Sequence, residues 1–197
     1  MTTKQAIFEF ITKDENIFLS EEIFEYYSQL REDMHIRFWS LFNQQMKFRF
    51  ESSDFYETWT FTGYPTKKIK SDWISSSLME NRELESSLAL STGQESYETD
   101  FQVYFGVRWA GKRLPDYNHP SFLKLKSILA SKKISSSGSE WWVCWGRPSY
   151  KIFSPELIRS MFLEPDLTIS KFVDDFWGIF LEINPLITII NTDANKK

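Results

Sequence analysis

The clearest strand in the chain is Phe101-Gln102-Val103-Tyr104-Phe105-Gly106-Val107-Arg108-Trp109. Large apolar residues take every second position of this stretch, starting at Phe101 and ending at Trp109. Because successive side chains of a strand point to opposite faces, the alternation predicts a half-buried antiparallel strand. Gly106 in the middle predicts a bulge or a close approach of another backbone.

The residues that follow predict a helix and a second strand. An amphipathic helix is expected near Ser121 to Ala130, and its apolar side would bury Phe122, Leu125 and Leu129. After a Ser-rich link, the run 141–145 has the pattern of a strand. Its alternation places one set of side chains on a single face, namely Trp141, Val143 and Trp145. We therefore expect these elements to pack as one unit.

Helices are expected at both ends of the chain. Ser20 is the predicted N-cap of a helix that reaches about Phe50, as one long helix or as two with a kink near residues 33–35. Near the other end, Ser154 is expected to cap a short helix. A further apolar helix is expected to start at Ser170 and to be interrupted by Pro185.

Between these helices, residues 55–64 predict a strand because they are rich in β-branched and aromatic side chains. The Ser-rich residues 72–90 predict a helix, followed by an exposed link at 91–94. Together the elements predict an α+β fold, with a small, strongly twisted antiparallel sheet packed against a long N-terminal helix and C-terminal helices.

A single domain covering residues 1–197 is expected, since a chain of 197 residues that is 42% apolar can bury a sizeable core. A subdivision near 91–97 would separate a helical acidic N-terminal part from a basic α+β C-terminal part. The single cysteine excludes a disulfide framework, and neither a leader nor a run of about 18 apolar residues is present. We expect a soluble, cytoplasmic protein with no membrane partner.

Charge is distributed unevenly along the chain, although the formal net charge is only −4. Residues 1–107 carry ten positive and eighteen negative side chains, a net of −8. Residues 108–151 carry nine positive and two negative, a net of +7, and the remaining residues have a net of −3. Pairing between the acidic and basic parts would weaken any external field.

The basic segment interleaves cations with Trp109, Trp141, Trp142 and Trp145, which is the composition of a surface that binds phosphates and bases or an acidic protein. The alternative is that the tryptophans belong to the core and the lysines pair with the acidic N-terminal helix. As partner-binding residues we predict Arg108, Lys112, Arg113, Lys124, Lys126, Arg147 and Lys151.

Few residues offer catalytic chemistry. His35, His119 and Cys144 have no metal-ligand spacing, and no Gly-rich phosphate loop occurs. His119 is expected to cap a helix and Cys144 to be a small core residue. We therefore expect a non-enzymatic interaction module with no catalytic residue, metal or cofactor.

Two further hypotheses stay open. One is a metal-dependent nuclease or other hydrolase whose carboxylates come from distant segments, such as Asp116, Asp166, Asp174 and Asp175. The other is a homo-oligomer in which the apolar run 186–190 forms the seam between two copies.

The order of residues 104–109, a helix, residues 141–145 and an apolar helix from Phe172 to Ile183 resembles the accessory C-terminal domain appended to PD-(D/E)XK-type nucleases of bacterial defence and mobile elements. In that superfamily, an acidic residue two positions before a lysine supplies a metal ligand. No lysine of this chain has Asp or Glu at that position. The resemblance therefore implies a non-catalytic module of bacterial or phage origin in a defence or anti-defence setting.

Overall fold

A computed structural model of the chain describes residues 2–65, 75–81, 87–95, 101–110, 118–134, 136–137, 142–148 and 150–196. Within these ranges it contains five α-helices and one antiparallel sheet. The predicted α+β fold class, with a long N-terminal helix, is thus confirmed.

The elements have the following bounds. The helices are α1 (Thr3–Ile11), α2 (Ile17–Glu51), α3 (Pro120–Ser131), α4 (Pro155–Leu163) and α5 (Pro165–Ala194). The strands are β1 (Trp59–Thr62), β2 (Ser75–Glu80), β3 (Leu88–Gln94), β4 (Val103–Trp109), β5 (Ser136–Ser137) and β6 (Trp142–Gly146). They are arranged in the order β1-β2-β3-β4-β6-β5, and each neighbouring pair is antiparallel.

One face of the sheet, which we call the helical face, packs against α2, α3 and α5. Phe172 of α5 meets Phe105 of β4 and Phe42 of α2, in both cases with ring centroids 5.2 Å apart. At the end of β4, Trp109 stacks on Phe122 of α3 at 6.2 Å. The core lies between the sheet and these helices, and such buried aromatic rings contribute much of its favourable free energy.

Several predicted elements are confirmed. β4 buries the predicted apolar side of the strand, including Val103, Phe105 and Val107. Its other side is also largely covered, since Tyr104 is only 9% exposed, so the strand is not half-buried as predicted. α3 starts one residue before the predicted position and buries Phe122, Leu125 and Leu129, as predicted. α4 starts directly after Ser154, whose hydroxyl accepts a hydrogen bond from the Leu157 N–H at 3.2 Å.

The Ser-rich region differs from its prediction. Instead of a helix and an exposed link, it contributes β2 and β3, and β3 pairs with strands on both sides. Ser91 and Thr92 are fully buried there. Strand preference depends strongly on the neighbours across the sheet, so a run of serines does not reveal a central strand. The predicted subdivision near 91–97 begins inside β3, and the strands before and after it belong to the same sheet.

The N-terminal prediction is right about a single long helix that ends near Phe50 and wrong about where it starts. α2 begins at Ile17, so Ser20 lies inside the helix, and its hydroxyl donates to the Asn16 carbonyl at 2.7 Å. A serine inside a helix commonly donates its hydroxyl to the carbonyl four residues back, and Ser20 makes this bond instead of capping the helix. The predicted strand at 55–64 is confirmed only for β1, because residues 54–58 form turns.

Pro185 does not interrupt α5, which begins five residues before the predicted start and continues to Ala194. A proline has no N–H, so the Leu181 carbonyl lacks its usual donor. The side-chain amide of Asn184 replaces that donor and reaches the carbonyls of Phe180 and Leu181 at 3.0 and 3.1 Å. The helix therefore continues through the proline.

Packing also holds the last turns of α5 against the sheet. Leu186, Ile187 and Ile190 are at most 8% exposed. Most of the apolar run 186–190 thus fills the core of one copy, and within it Ile189 is the large side chain left exposed, at 44%. No helix in the described part of the chain is long and apolar enough to cross a bilayer.

Candidate interaction surface

The other face of the sheet, which we call the second face, holds the aromatic and cationic side chains of the predicted surface. The β4–β6 register places Trp145 opposite Gly106 and Trp142 opposite Arg108. These residues alternate with Phe105 and Val107, so their side chains lie away from the helices. We define the Trp–Arg cluster as Tyr104, Arg108, Trp142, Trp145 and Arg147.

A β-bulge decides which tryptophans reach this face. Cys144 pairs with Val107, but Arg108 pairs with Trp142, so Val143 has no partner of its own in β4. One extra residue reverses the alternation beyond it. The predicted alternation, which placed Trp142 on the face opposite Trp145, is therefore wrong, because both rings lie on the second face. Trp141 lies outside the described residues.

Gly106 allows β4 and β6 to approach closely, as its position in the strand predicts. A Cβ at Gly106 would lie 2.7 Å from the Cys144 carbonyl oxygen and 2.8 Å from the ring of Trp142. No real side chain tolerates such distances without movement of its neighbours. The ring of Trp142 thus lies over a position where only glycine fits.

Arg108 is the central cation of the cluster. Its Nε donates to the Ser91 hydroxyl at 2.9 Å, and the side chain is half-buried. Burial lowers the pKa of Arg108, because the charged guanidinium is partly removed from water. Throughout the described ranges, no carboxylate forms an ion pair with it. A partly desolvated charge without a counter-ion is costly, and an anionic ligand would offset that cost.

Aromatic rings border Arg108. Tyr104 and Trp142 meet edge to face, with ring centroids 5.4 Å apart. Burial raises the pKa of Tyr104 to about 12, so its hydroxyl is neutral at pH 7 and can donate a hydrogen bond. The sequence prediction did not include Tyr104, although its position two residues from Gly106 and four from Arg108 places all three on one side of the strand.

Arg147 is already engaged within the chain. Its guanidinium lies 4.7 Å from the ring centre of Trp145, and its Nε donates to Glu95 at 2.6 Å. Glu95 belongs to the acidic part of the sequence. This contact is therefore one instance of the predicted pairing between the acidic and basic parts, and Arg147 offers less free charge than Arg108 does.

The remaining predicted residues are not gathered at this cluster. Lys124 and Lys126 are exposed on α3, which packs against the helical face on the opposite side of the sheet. Lys151 is exposed, and its backbone forms an isolated β-bridge with Gln102. Lys112 and Arg113 lie outside the described residues. Of the seven predicted residues, the structure brings together Arg108 and Arg147.

The groups with catalytic potential have structural contacts. His119 caps α3 by accepting from the Ser121 N–H at 3.2 Å, as predicted. Cys144 is buried in β6, and burial raises the pKa of its thiol to about 11. Asp174 pairs with Arg49 at 2.5 Å, and Asp175 accepts from the Tyr150 hydroxyl at 2.7 Å.

No three His, Cys, Asp or Glu side chains converge where they could hold a metal ion, as far as the described ranges extend. Asp116, one of the carboxylates named by the nuclease hypothesis, lies outside those ranges. Asp166 is exposed at the start of α5.

A cleft of about 680 Å³ lies between the second half of α2 and β1. Asn43, in its wall, accepts from the Tyr64 N–H at 2.8 Å and donates to the Tyr64 carbonyl at 2.6 Å. Lys47 and Glu51 pair with each other along α2 at 3.8 Å. Since Asn43 is already bonded to the backbone and Lys47 and Glu51 balance each other's charge, the Trp–Arg cluster is the better candidate for a binding site.

No family model, curated protein or solved structure matches the chain. The function proposed below therefore rests on the residues and contacts of the chain itself. The resemblance to nuclease accessory domains stays a prediction from the order of its elements.

Proposed function

We propose that this chain is a non-enzymatic intracellular interaction module that binds an acidic partner through the Trp–Arg cluster. The observation that carries the proposal is Arg108, a half-buried cation without a carboxylate partner in the described ranges, beside Tyr104 and Trp142. A guanidinium in such surroundings recognises planar anions by two parallel hydrogen bonds.

An acidic protein segment fits the cluster best. Trp, Tyr and Arg are the residue types that contribute most at protein interfaces. A phosphate backbone instead requires a track of several cations, and the described part of the cluster contributes Arg108 and an Arg147 that is paired with Glu95. The proposed partner is therefore a protein with Asp or Glu residues in an accessible segment.

Nucleic acid is the second candidate. Trp142 and Trp145 are half-buried rather than fully covered, and rings of this kind stack on the bases of single strands. The bacterial or phage defence setting enters the proposal only through the resemblance to nuclease accessory domains. The contacts of Asp174 and Asp175 with Arg49 and Tyr150 argue against their gathering around a metal ion.

The test compares anionic probes directly. A fluorescein-labelled poly-glutamate peptide and labelled single- and double-stranded DNA and RNA are titrated with the protein at several salt concentrations. We expect poly-glutamate to bind and Arg108→Gln to weaken it by about tenfold or more, the loss expected for a charge-assisted pair. Arg159→Gln, an exposed cation on α4, serves as the matched control and leaves the affinity unchanged.

The other outcomes are equally informative. Tighter and more steeply salt-dependent binding of nucleic acid would establish the second candidate. If Arg108→Gln and Arg159→Gln weaken poly-glutamate binding equally, the peptide responds to the net charge of the protein and not to the Trp–Arg cluster. If no probe binds even at low salt, the proposed function is wrong. Cleavage of nucleic acid that depends on Mg²⁺ or Mn²⁺ and stops on chelation would instead establish the nuclease hypothesis.

A further inference from the structure

The first part of the chain, residues 3–30, extends beyond the core, and we call it the N-terminal arm. Its end meets the core, where Leu30 packs against the core and Tyr27 contacts Phe153 with ring centroids 4.9 Å apart. It comprises α1, a 3-10 turn at Asp14–Asn16 and the first half of α2, and the first buried residue after it is Met34. Eleven large apolar side chains of the arm are 44–76% exposed, namely Ile7, Phe8, Phe10, Ile11, Ile17, Phe18, Leu19, Ile23, Phe24, Tyr26 and Tyr27.

This surface is too large to be incidental. At about 200 Å² for each such side chain, the exposed fractions amount to on the order of 1,200 Å². A typical stable interface buries about 800 Å² on each partner, and monomeric proteins rarely expose apolar patches beyond a few hundred Å². Phe18, Leu19 and Tyr26 contribute about 400 Å² of this, and without them the arm still exposes roughly 800 Å², which is about what one partner of a typical stable interface buries.

The apolar residues of α2 form a defined stripe. At about 100° per residue, six positions fall within an arc of about 140°. These positions are Ile17, Ser20, Ile23, Phe24, Tyr27 and Leu30. The acidic side chains fall on the other side of the helix, within an arc of about 120°. They are Glu21, Glu22, Glu25, Glu32 and Asp33.

The stripe is complementary to its own reversed copy. Reversal about the midpoint between Ile23 and Phe24 exchanges these two residues. The same operation places Ile17 opposite Leu30 and Ser20 opposite Tyr27, so each stripe residue meets another stripe residue. A surface that maps onto itself in this way suits a two-fold interface, in which residue i contacts j and j contacts i.

We propose that a second copy of this chain covers the arm, with the two α2 stripes packed antiparallel about a two-fold axis near Ile23 and Phe24. The acidic sides of the helices then face away from each other, which limits like-charge repulsion. The association is independent of the Trp–Arg cluster, which lies on the sheet.

The first test measures mass in solution by sedimentation and light scattering from about 1 to 100 µM. The wild-type chain is expected at about twice its mass of 23.4 kDa. The double variant Ile23→Glu and Phe24→Glu is expected at the monomer mass, since it places four carboxylates at the axis. The substituted side chains are 52% and 70% exposed, so folding is preserved and circular dichroism should be unchanged.

Phe18→Glu is the matched control. Phe18 belongs to the same arm and is 76% exposed, but it lies outside the stripe on the acidic side of α2. We expect this variant to remain dimeric. A wild-type chain that is monomeric at 100 µM overturns the proposal, and so does a Phe18→Glu variant that dissociates as completely as the stripe variant.

Cysteine cross-linking tests the orientation. Ile23→Cys lies next to the axis and is expected to form a disulfide-linked dimer under mild oxidation. Ile17→Cys is expected to stay unlinked, because antiparallel pairing places Leu30 opposite it. Linking at Ile17→Cys, whether or not Ile23→Cys also links, would indicate parallel helices and contradict the proposal. The native Cys144 is buried, which keeps it from competing.

Discussion

The two faces of the central sheet differ in what their side chains do. On the helical face, β3 and β4 present Leu88, Leu90, Phe105 and Val107, all at most 2% exposed and packed beneath helices. On the second face, the same strands present the small residues Ala89 and Ser91, both 0% exposed, with the larger half-buried side chains of Arg108 and Trp142 beside them. One side of the strands therefore forms the core, and the other carries the candidate site.

The tryptophans follow the same division. Trp59 and Trp109 belong to the helical face, where they contact Phe180 and Phe122 and are 4% and 6% exposed. Trp142 and Trp145 belong to the second face and are only half-buried. Composition alone treats these residues alike, but their surroundings assign two of them to the core and two to the candidate site.

The largest difference between the faces should appear on truncation of an aromatic residue. Phe172→Ala removes a fully buried ring that contacts Phe38, Phe42 and Phe105, and should lower the free energy of unfolding by about 3–5 kcal/mol. Trp145→Ala on the second face should cost less than about 2 kcal/mol. Urea unfolding followed by circular dichroism measures both. Equal losses would remove the distinction between the faces.

The second prediction concerns the close contact under Trp142. Gly106→Ala should destabilise the fold by about 1–3 kcal/mol, because its methyl group overlaps the Cys144 carbonyl and the Trp142 ring. Gly178→Ala in α5 is the control. Its Cβ would meet nothing within 4 Å, so alanine's better helix propensity should stabilise by about 0.5–1 kcal/mol. If Gly106→Ala leaves the melting temperature unchanged, β6 must lie further from β4 than these distances imply.

A third prediction uses a buried polar contact on the helical face. The Gln94 side-chain oxygen accepts from Trp39 Nε1 at 2.6 Å and lies 2.8 Å from His35 Nδ1. Within the described residues, His35 Nε2 is buried without a hydrogen-bond partner. Burial lowers the pKa of His35 below 6.5, although the Gln94 hydrogen bond and the charge of Glu32 act in the opposite direction. A neutral ring that donates from Nδ1 fits these contacts.

The sign of the resulting pH dependence follows from proton binding. Below pH 6.5 the unfolded chain protonates His35 while the folded chain does not, so stability falls as the pH decreases, by at most about 1.4 kcal/mol per pH unit. His35→Phe should flatten that part of the profile, whereas His119→Gln should retain it. Unfolding curves between pH 5 and 8 measure the effect. A wild-type profile that is flat below pH 6.5 would contradict it.

The smallest effect on stability is expected at Arg108. Arg108→Met removes the bond to Ser91 but also removes a half-buried charge, so the free energy of unfolding should change by less than about 1 kcal/mol. Binding of the anionic probe should nevertheless be lost. A loss of stability above about 2 kcal/mol would make Arg108 a structural residue and weaken the functional assignment of the second face.

Much of the fold follows from local pattern. The alternation in β4, the periodicity of α2 and α3 and the cap at Ser154 each depend on residues close in sequence, and the structure confirms them. The helix through Pro185 does not follow in this way, because its continuity depends on the side chain of Asn184 and on burial by the sheet.

The candidate site was predicted in part. Arg108 and Arg147 were named from charge, but Tyr104 was not, and the lysines of α3 lie on the other side of the sheet. The bulge at Val143 explains the error in the tryptophans, since strand register is set between strands and not within one. Likewise, the helical pattern of α2 was visible, while the exposure of its first half was not.

By itself, the sequence determined the α+β class, the position of the long helix and of β4, and the basic character of the segment from Arg108 to Lys151. These depend on the order of neighbouring side chains, which a single chain displays. Tertiary structure alone decided that β2 and β3 are central strands and that Arg108, Trp142 and Trp145 share a face. It also decided that the apolar stripe of α2 from Ile17 to Leu30 lies outside the core. Such outcomes depend on strand pairing and burial between residues that are distant in sequence. A local sequence pattern does not contain the free energies of those contacts.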